Sequence, residues 1–293
     1  MLDDMELTMQ LNTITDPMLL VIIPVHNEED NLEKVIADVK KEAEVMPLRT
    51  DILIIDDGST DMTSEIIHDA GVRHITNPVN IGYGGCLQVG YKYAVRRGYQ
   101  YLIQMDGDGQ HDACNIPVLY KGLCEKDAEG KTSDIVLGSR FMPGSSPYEV
   151  GALKKFAFAW FRMLIRQVTG YKDRIYDPTT GLQGLSRRAF AFYSVSGNYD
   201  PHYPDANMLT QMILLGFRIH QIPAVMHNRA GGVSMHAGLI HQAKYMIHMT
   251  LSLWAAGIRI MKFHMGVDQA KQIQQLNADE LIAVTDRERY FDI

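Results

Sequence analysis

The feature that most constrains the fold is an alternation, beginning at Met18, of short apolar runs with stretches in which apolar residues recur at helical spacing. Short apolar runs are typical of buried strands, and the stretches between them have the periodicity of helices that cover a sheet. This alternation predicts an α/β fold with a mostly parallel central sheet flanked by helices. The predicted strands are Leu19–Pro24, Asp51–Ile55, Val72–Ile75, Tyr101–Met105, Ile135–Gly138, Gly181–Leu185 and Arg218–Pro223.

We expect a single domain, because no Pro-, Gly- or Ser-rich linker divides the 293 residues. The predicted organisation is an N-terminal extension over 1–17, the α/β domain over 18–235, an amphipathic helical segment over 236–266 and a polar tail over 267–293. The extension is acidic, whereas a signal peptide begins with basic residues. The apolar stretch 245–258 is shorter than the roughly 20 residues that a bilayer-spanning helix needs, so we expect no transmembrane segment.

Composition excludes some classes of function. The chain has 28 Lys and Arg against 35 Asp and Glu, a net charge of −7, and no long basic run, so we expect no nucleic-acid partner. Cys86, Cys114 and Cys124 are odd in number and lack the spacing of a zinc site. Neither a disulfide framework nor structural zinc is indicated, which favours a reducing, cytoplasmic compartment.

Polar segments follow four of the predicted strands. In open α/β sheets, ligands bind beyond the carboxyl ends of the strands, so these segments are the candidate site. Two of them are acidic, and acidic clusters at one sheet edge repel each other unless a cation or hydrogen-bond donors bind there. The segments are Pro24-Val-His26-Asn27-Glu28, Asp56-Asp57-Gly58-Ser59, Asp106-Gly107-Asp108-Gly109-Gln110-His111 and Gly138-Ser139-Arg140.

Asp106, Asp108 and Gln110 are candidate ligands of a divalent cation. Residues two apart in an extended segment point the same way, and Gly107 leaves the backbone open to a ligand. Carboxylate and amide oxygens suit Mg²⁺ or Mn²⁺. The alternative is a turn rich in Asp and Gly without a metal.

The other polar candidates each have two interpretations. Asp57 can accept a hydrogen bond from the ring N–H of uracil or guanine, or can be structural. Asp205 can serve as a general base or cap the helix that follows it. Arg140 and Arg229, each close to glycines, are candidates to offset a diphosphate charge, whereas the basic residues around Lys154 are interpreted as a solvated helix face.

Two further patterns do not indicate a site. Asn80-Ile-Gly82-Tyr-Gly84-Gly85 lacks the glycine spacing of a dinucleotide fingerprint, so a Rossmann dehydrogenase is disfavoured. The 11 histidines show no metal-ligand spacing.

Taken in order, the four sheet-edge segments, together with Asn80-Ile-Gly82, Asp177-Pro-Thr-Thr-Gly181 and Arg229-Ala-Gly-Gly-Val-Ser234, resemble the family 2 inverting glycosyltransferases of the GT-A fold. Within that family the chain is most similar to the dolichyl- and polyprenyl-phosphate sugar synthases. The resemblance covers about residues 19–234. One position departs from the family, since His26 stands where a Tyr is usual; an imidazole can still stack on a base.

The resemblance implies roles for individual residues. It implies a nucleoside pocket lined by Pro24, His26, Glu28, Ile55 and Asp57, and a DxD element formed by Asp106, Gly107 and Asp108. It further implies a cation, Mg²⁺ or Mn²⁺, on Asp108 and Gln110, with Arg140 and Arg229 holding the diphosphate or an acceptor phosphate.

The implied reaction moves a sugar from a UDP- or GDP-sugar to an acceptor. A polyprenyl phosphate is already anionic and needs no base, whereas a glycan hydroxyl needs one, and Asp205 is the candidate. Both acceptors stay open, as does a non-catalytic subunit that only binds nucleotide sugars.

Two helical segments are candidates for a membrane surface. One lies around Phe156–Ile165 and the other over 236–265, and both combine large apolar residues with Lys and Arg. Peripheral binding at the cytoplasmic membrane face is one interpretation. The other is a core-facing helix or a contact in a homo-oligomer.

Overall fold

The fold centres on a sheet that has seven strands in the part of the chain that the computed structural model describes, residues 18–148, 150–227 and 239–275. The strands are β1 (Met18–Val25), β2 (Arg49–Asp56), β3 (Arg73–Thr76), β4 (Tyr101–Gln104), β5 (Ile135–Ser139), β6 (Gln183–Ser186) and β7 (Ile219–Pro223). The helices are α1 (Leu32–Val45), α2 (Thr63–Asp69), α3 (Tyr83–Arg96), α4 (Asn115–Cys124), α5 (Ala152–Thr169), α6 (Arg187–Ser194), α7 (Ala206–Leu214), α8 (Leu239–Phe263) and α9 (Val267–Gln275).

The strand order is β3-β2-β1-β4-β6-β5-β7. Strand β6 is antiparallel to both of its neighbours, and the other pairs are parallel. The predicted α/β fold with a mostly parallel sheet is therefore confirmed. Because β1, β2 and β4 are adjacent and parallel, their carboxyl ends lie side by side at one edge.

Side chains of β1 alternate between two apolar cores, one on each face of the sheet. Leu20 and Ile22 belong to the core beneath α3, whereas Leu19, Val21 and Ile23 belong to the core beneath α1. All eight residues of β1 are buried. A strand covered on both faces carries a continuous apolar run, which is why this strand was identifiable from the sequence.

Helix α5 and helix α8 lie side by side over the first of these cores. Trp160 Nε1 of α5 donates to Thr250 Oγ1 of α8 at 3.0 Å, and the close approach of Gly257 to Val168 brings the two backbones together. Phe161 of α5 and Leu253 of α8 are both buried in that core. Within the described ranges, no helix combines the length and the hydropathy that a bilayer span requires.

Two local features of the structure were not predicted from the sequence. The stretch after residue 267, expected to be a polar tail, begins with α9, which buries Ala270 and Ile273 in the core next to α6. Two apolar residues three apart are a weak signal in a polar sequence. Asn27 lies before α1, which begins at Leu32. It has a φ of 55°, and its Oδ1 accepts a hydrogen bond from the Thr60 amide at 2.8 Å.

Candidate functional site

A cavity of about 800 Å³ lies at the sheet edge where β1, β2 and β4 end. Its lining includes His26 from the segment after β1, Asp57 after β2, and Asp106 after β4. Arg140, which follows β5, and Asp205, which precedes α7, also line it. The structure therefore brings the polar segments that were singled out in the sequence into one site.

The Asp57 carboxylate is buried and holds the loop before α3. Its Oδ1 accepts hydrogen bonds from Asn77 Nδ2 (2.8 Å) and the Ile81 amide (3.0 Å), and its Oδ2 accepts one from the Gly82 amide (2.9 Å). A carboxylate has about four acceptor positions, so about one is left for a ligand in the cavity. The structural interpretation of Asp57 thus holds, and it leaves room for a contact with a base.

Two side chains orient the Asp106 carboxylate in the cavity wall. The Tyr83 hydroxyl donates to Oδ1 at 2.8 Å, and His111 Nε2 lies 3.6 Å from Oδ2. The His111 ring is fixed because its Nδ1 accepts the hydrogen bond of the Asp106 amide at 2.9 Å. Burial and then the charge of Asp106 raise the pKa of Tyr83 well above its ordinary value, so the hydroxyl keeps the proton it donates.

Gly181 keeps space open beside Asp106. A Cβ at this position would lie 3.0 Å from both Asp106 Oδ2 and Tyr83 Oη. The Asp106 side chain is 31% exposed as a result of this open side. A carboxylate that is oriented by neighbouring side chains and exposed to the cavity is suited to bind a cation.

Asp108 lines the cavity beside Asp106, but not through the extended segment that the sequence argument assumed. Strand β4 ends at Gln104, and residues 107–109 form a bend in which the Gln110 amide donates to Asp108 Oδ1 at 3.0 Å. Gln110 does not line the cavity, and its side-chain amide donates to the Tyr148 hydroxyl at 3.4 Å. Gln110, the third expected metal ligand, therefore contacts Tyr148, which lines the cavity, but does not line the cavity itself.

The two aspartates fit a cation that shares its ligands with a substrate. No group of three or more His, Cys, Asp or Glu side chains within the described residues is arranged to hold a metal ion. Mg²⁺ is commonly held by one or two carboxylates together with substrate phosphates and water. Asp106 and Asp108 meet that requirement, whereas a closed, all-protein metal site is not present in the described part.

Arg140 is held by a buried partner, Asp177. Its Nε donates to Asp177 Oδ2 at 2.6 Å and its NH2 group donates to Asp177 Oδ1 at 2.7 Å, a two-point ion pair. Burial lowers the pKa of the Arg140 guanidinium. The charge of Asp177 and its hydrogen bonds together outweigh burial, so the net result is a raised pKa. Asp177 entered the sequence-based predictions only as part of the motif Asp177-Pro-Thr-Thr-Gly181, and its pairing with Arg140 was not predicted.

Asp205 is half-buried in the cavity wall, and its side chain does not cap α7. Its side chain makes no cap hydrogen bond; instead its Oδ2 accepts one from the Tyr245 hydroxyl of α8 at 2.6 Å. Burial raises the pKa of Asp205 to about 6, and the charges of Asp106 and Asp177 add to this, whereas Tyr245 and Arg140 act in the opposite direction. Tyr245 was not singled out by sequence reasoning, because no local motif marks it.

The side of the cavity away from the sheet edge is largely apolar. It is formed by Leu153, Ala157 and Phe158 of α5, together with Met246 of α8 and Pro204 before α7. Among the described residues that line the cavity, Lys154 and Arg140 are the Lys and Arg side chains. Lys154, expected to lie on a solvated face, is exposed and also borders the cavity.

The remaining candidates divide into three groups. Pro24, Glu28 and Gly107 line the cavity. Ile55 does not, because it is fully buried in the core beneath α3, where its backbone carbonyl accepts a hydrogen bond from Cys86 Sγ at 3.3 Å. Arg229 lies outside the described residues.

The sequence of the chain matches a described family. The model of glycosyl transferase family 2 matches residues 20–192, which is more than half of the chain. A polyprenol monophosphomannose synthase of Mycolicibacterium smegmatis is 29% identical over 232 residues, 75% of this chain and 81% of that protein. An undecaprenyl-phosphate mannosyltransferase of Micrococcus luteus is 26% identical over 232 residues, 77% of this chain and 90% of that protein.

The fold matches solved structures as well. Glucosyl-3-phosphoglycerate synthase of Mycobacterium tuberculosis, in a crystal with Mn²⁺, UDP-glucose and phosphoglyceric acid, superposes with a TM-score of 0.62 at 17% identity. The superposition covers 82% of this chain and 80% of that one. At this identity the likeness concerns the fold, which is the GT-A fold.

Proposed function

The chain belongs to glycosyl transferase family 2 and is a glycosyltransferase, and from this premise we propose that it moves a sugar from a nucleotide-diphosphate sugar to polyprenyl phosphate. The observation that carries the proposal is the two-sided cavity, with carboxylates at the sheet edge and apolar helix faces opposite them. The activities for which the Mycolicibacterium and Micrococcus relatives are named support the same acceptor.

The nucleoside would bind at the ends of β1 and β2. Pro24, His26 and Glu28 line this part of the cavity together with Asp57. The His26 ring is oriented by a hydrogen bond between its Nδ1 and the Asp57 carbonyl at 3.0 Å. The acceptor position left on the Asp57 carboxylate suits the ring N–H of uracil or guanine, so both UDP- and GDP-sugars are compatible with this pocket.

The diphosphate would bind next to Asp106 and Asp108. Glu28, Asp57, Asp106 and Asp108 are acidic, so a diphosphate cannot approach this side without a compensating cation. We propose Mg²⁺ or Mn²⁺, held by the two aspartates and the diphosphate, which would stabilise the charge of the departing nucleoside diphosphate. Crystals of the Mycobacterium tuberculosis structural neighbour with Mn²⁺ support this choice.

The acceptor phosphate would bind between the sheet edge and α5. Asp177 offsets much of the Arg140 charge, which leaves Lys154 as the cation best placed to attract an acceptor phosphate from the apolar side. The prenyl chain would lie against Leu153, Phe158 and Met246, since it needs an apolar surface.

In the proposed reaction, an oxygen of the acceptor phosphate attacks the anomeric carbon in line with the bond to the diphosphate. A phosphate oxygen already carries negative charge, so no residue of the chain has to remove a proton from it. The protein's part is to hold the two substrates in line and to exclude water from the sugar. Arg140 is fixed in place by Asp177 and would contribute only the part of its charge that Asp177 does not offset.

A second candidate acceptor is a glycan hydroxyl. The environment of Asp205 favours it, because a half-buried carboxyl group with a pKa of about 6 in a cavity wall is suited to general-base catalysis. Replacing Asp205 by Asn separates the two candidates. A large loss of rate with every acceptor supports the hydroxyl, whereas near-normal turnover with polyprenyl phosphate supports the phosphate.

We propose the cytoplasmic face of a membrane as the place of this reaction. The three cysteines, Cys86, Cys114 and Cys124, are free thiols, which is typical of a reducing compartment. Membrane contact is needed because a polyprenyl chain resides in a bilayer.

The experiment that tests the proposed function is release of nucleoside diphosphate from UDP-, GDP- and dTDP-sugars with Mn²⁺, with and without a short polyprenyl phosphate. We expect one donor to turn over when the lipid phosphate is present, and Asp108→Ala to abolish that turnover. Equal release with and without the lipid phosphate would contradict the proposed acceptor.

A further inference from the structure

The outer faces of α5 and α8 form one apolar and cationic surface next to the cavity. Nine large apolar side chains of the two helices are exposed: Leu153, Phe156, Met163, Ile247, Leu251, Trp254, Ile258, Met261 and Phe263. The helices pack side by side and bury their other faces in the same core, so their outer faces adjoin. We define these outer faces as the α5–α8 surface.

The charges of this surface have a single sign. Helices α5 and α8 contain seven Lys and Arg residues and no Asp or Glu, although the whole chain has a net charge of −7. Five of the seven cations are exposed: Lys154, Lys155, Arg166, Lys244 and Lys262. The partner that complements this surface is therefore both apolar and negatively charged.

We propose that the α5–α8 surface binds the interface of an anionic phospholipid bilayer. Helices that lie in a bilayer interface combine an apolar face, often with Trp and Phe, with flanking Lys and Arg residues that reach the headgroups. Trp254 and Phe156 are 46% and 59% exposed, and Lys155 and Lys262 lie on the same two helices. Each Lys or Arg close to an anionic surface strengthens binding by about fivefold, the equivalent of about 1 kcal/mol.

A second copy of the chain is the competing occupant. Ile247, Leu251, Trp254, Ile258 and Met261 are spaced four and three apart, which is the repeat of a coiled-coil seam. In a two-fold dimer, however, this surface would face itself, and its cations would meet cations with no acidic residue on either helix to pair with them. The charge distribution therefore favours an anionic bilayer.

The α5–α8 surface adjoins the acceptor side of the cavity, which suggests why the chain would bind a bilayer there. Leu153 and Lys154 of α5 and Met246 of α8 also line the cavity, so the same helices that touch the bilayer border the acceptor side of the site. This link between bilayer binding and the acceptor rests on the proposed function, because it concerns an acceptor that resides in the membrane. The binding itself does not require turnover and can be tested without either substrate.

The test is cosedimentation of the full chain with vesicles that contain no polyprenyl phosphate. Vesicles of phosphatidylcholine are compared with vesicles in which part of it is replaced by phosphatidylglycerol. We expect binding to the anionic vesicles, weaker binding at high salt, and at least a tenfold loss of affinity in the double variant Leu251→Glu, Ile258→Glu. The double variant Val45→Glu, Val118→Glu is the matched control, since it adds the same two charges at residues that are 72% and 43% exposed on α1 and α4.

Two outcomes would overturn the proposal. One is the absence of binding to either vesicle, or equal binding to both. The other is a dimer in solution that the double substitution Leu251→Glu, Ile258→Glu dissociates, which would assign the surface to a second copy.

Turnover with a water-soluble short polyprenyl phosphate is measured in parallel. If turnover is normal in the double variant while vesicle binding is lost, the surface acts in membrane binding alone. If the parent chain shows no transferase activity with this acceptor, the proposed function is contradicted, whereas the vesicle-binding result still stands.

Discussion

The hydroxyl of Tyr245 donates a hydrogen bond to Asp205 Oδ2 at 2.6 Å, and this contact links helix α8 to the wall of the candidate site's cavity. Forty residues separate the two in sequence. Tyr245 also packs edge-on against Phe161 of α5, with ring centroids 6.0 Å apart. The contact therefore connects helix α8 to the candidate general base and orients the Asp205 carboxyl.

We predict that Tyr245→Phe raises the pKa of Asp205 above its value of about 6 in the parent chain. The hydrogen bond from Tyr245 favours the charged carboxylate, so its removal favours the protonated form. The measurement is an NMR titration of carbon-labelled Asp side chains. Tyr120→Phe, remote from Asp205, is the control, and an unchanged or lower Asp205 midpoint in Tyr245→Phe would contradict the prediction.

Asp205 also predicts a pH dependence of stability. Its folded-state pKa of about 6 lies above the ordinary value of 3.8, so the folded state binds an extra proton between these pH values. The stabilisation is present below about pH 4 and is lost as the pH rises through about 6. In Asp205→Asn this contribution disappears. The free energy of unfolding, measured by urea titration from pH 4 to 7, is expected to fall less with rising pH in the variant than in the parent.

The pair Arg140–Asp177 is predicted to matter for stability. The Asp177 side chain is fully buried, and removing one partner of a buried ion pair costs about 3–5 kcal/mol, because the other charge is left without compensation. We expect a loss of that size in Asp177→Asn, seen in the free energy of unfolding. Asp38→Asn is the matched control, because Asp38 pairs with Lys34 on an exposed helix face and such pairs contribute about 0.5 kcal/mol. Equal effects of the two variants would contradict the prediction.

Tyr83 is predicted to support cation binding without contacting the cation. Its hydroxyl orients Asp106, and loss of such a supporting hydrogen bond typically weakens metal affinity by about 10–100-fold. The Mn²⁺ affinity of Tyr83→Phe, measured by calorimetry with nucleoside diphosphate bound, is expected to fall in this range. Tyr93→Phe on the same helix should leave it unchanged. An unaltered affinity in Tyr83→Phe would indicate that Asp106 does not hold the cation.

The sequence was sufficient to predict the sheet and most of the polar side chains that meet at its edge. The apolar run of β1 and the polar residues after each strand are local features, and parallel strands bring those residues to one edge. The details that were missed depend on contacts between distant segments. Asp177 reaches Arg140 across 37 residues, and Tyr245 reaches Asp205 from another helix, so neither pairing leaves a local pattern.

The candidate metal ligands show the same limit. Spacing alone placed Asp106, Asp108 and Gln110 on one side of an extended segment. The strand ends before Asp106, and the bend that follows turns Gln110 toward Tyr148. A two-residue spacing predicts a shared direction only where the backbone stays extended.

The most direct test of the central claim compares two acceptors that differ only in the phosphate. Release of nucleoside diphosphate is measured with a saturating donor sugar, Mn²⁺ and either a short polyprenyl phosphate or the corresponding polyprenol. We predict turnover with the phosphate, a glycosyl phosphate product of inverted configuration, and none with the alcohol. Equal turnover of the alcohol, together with its loss in Asp205→Asn, would contradict the phosphate acceptor and assign the enzyme to hydroxyl transfer.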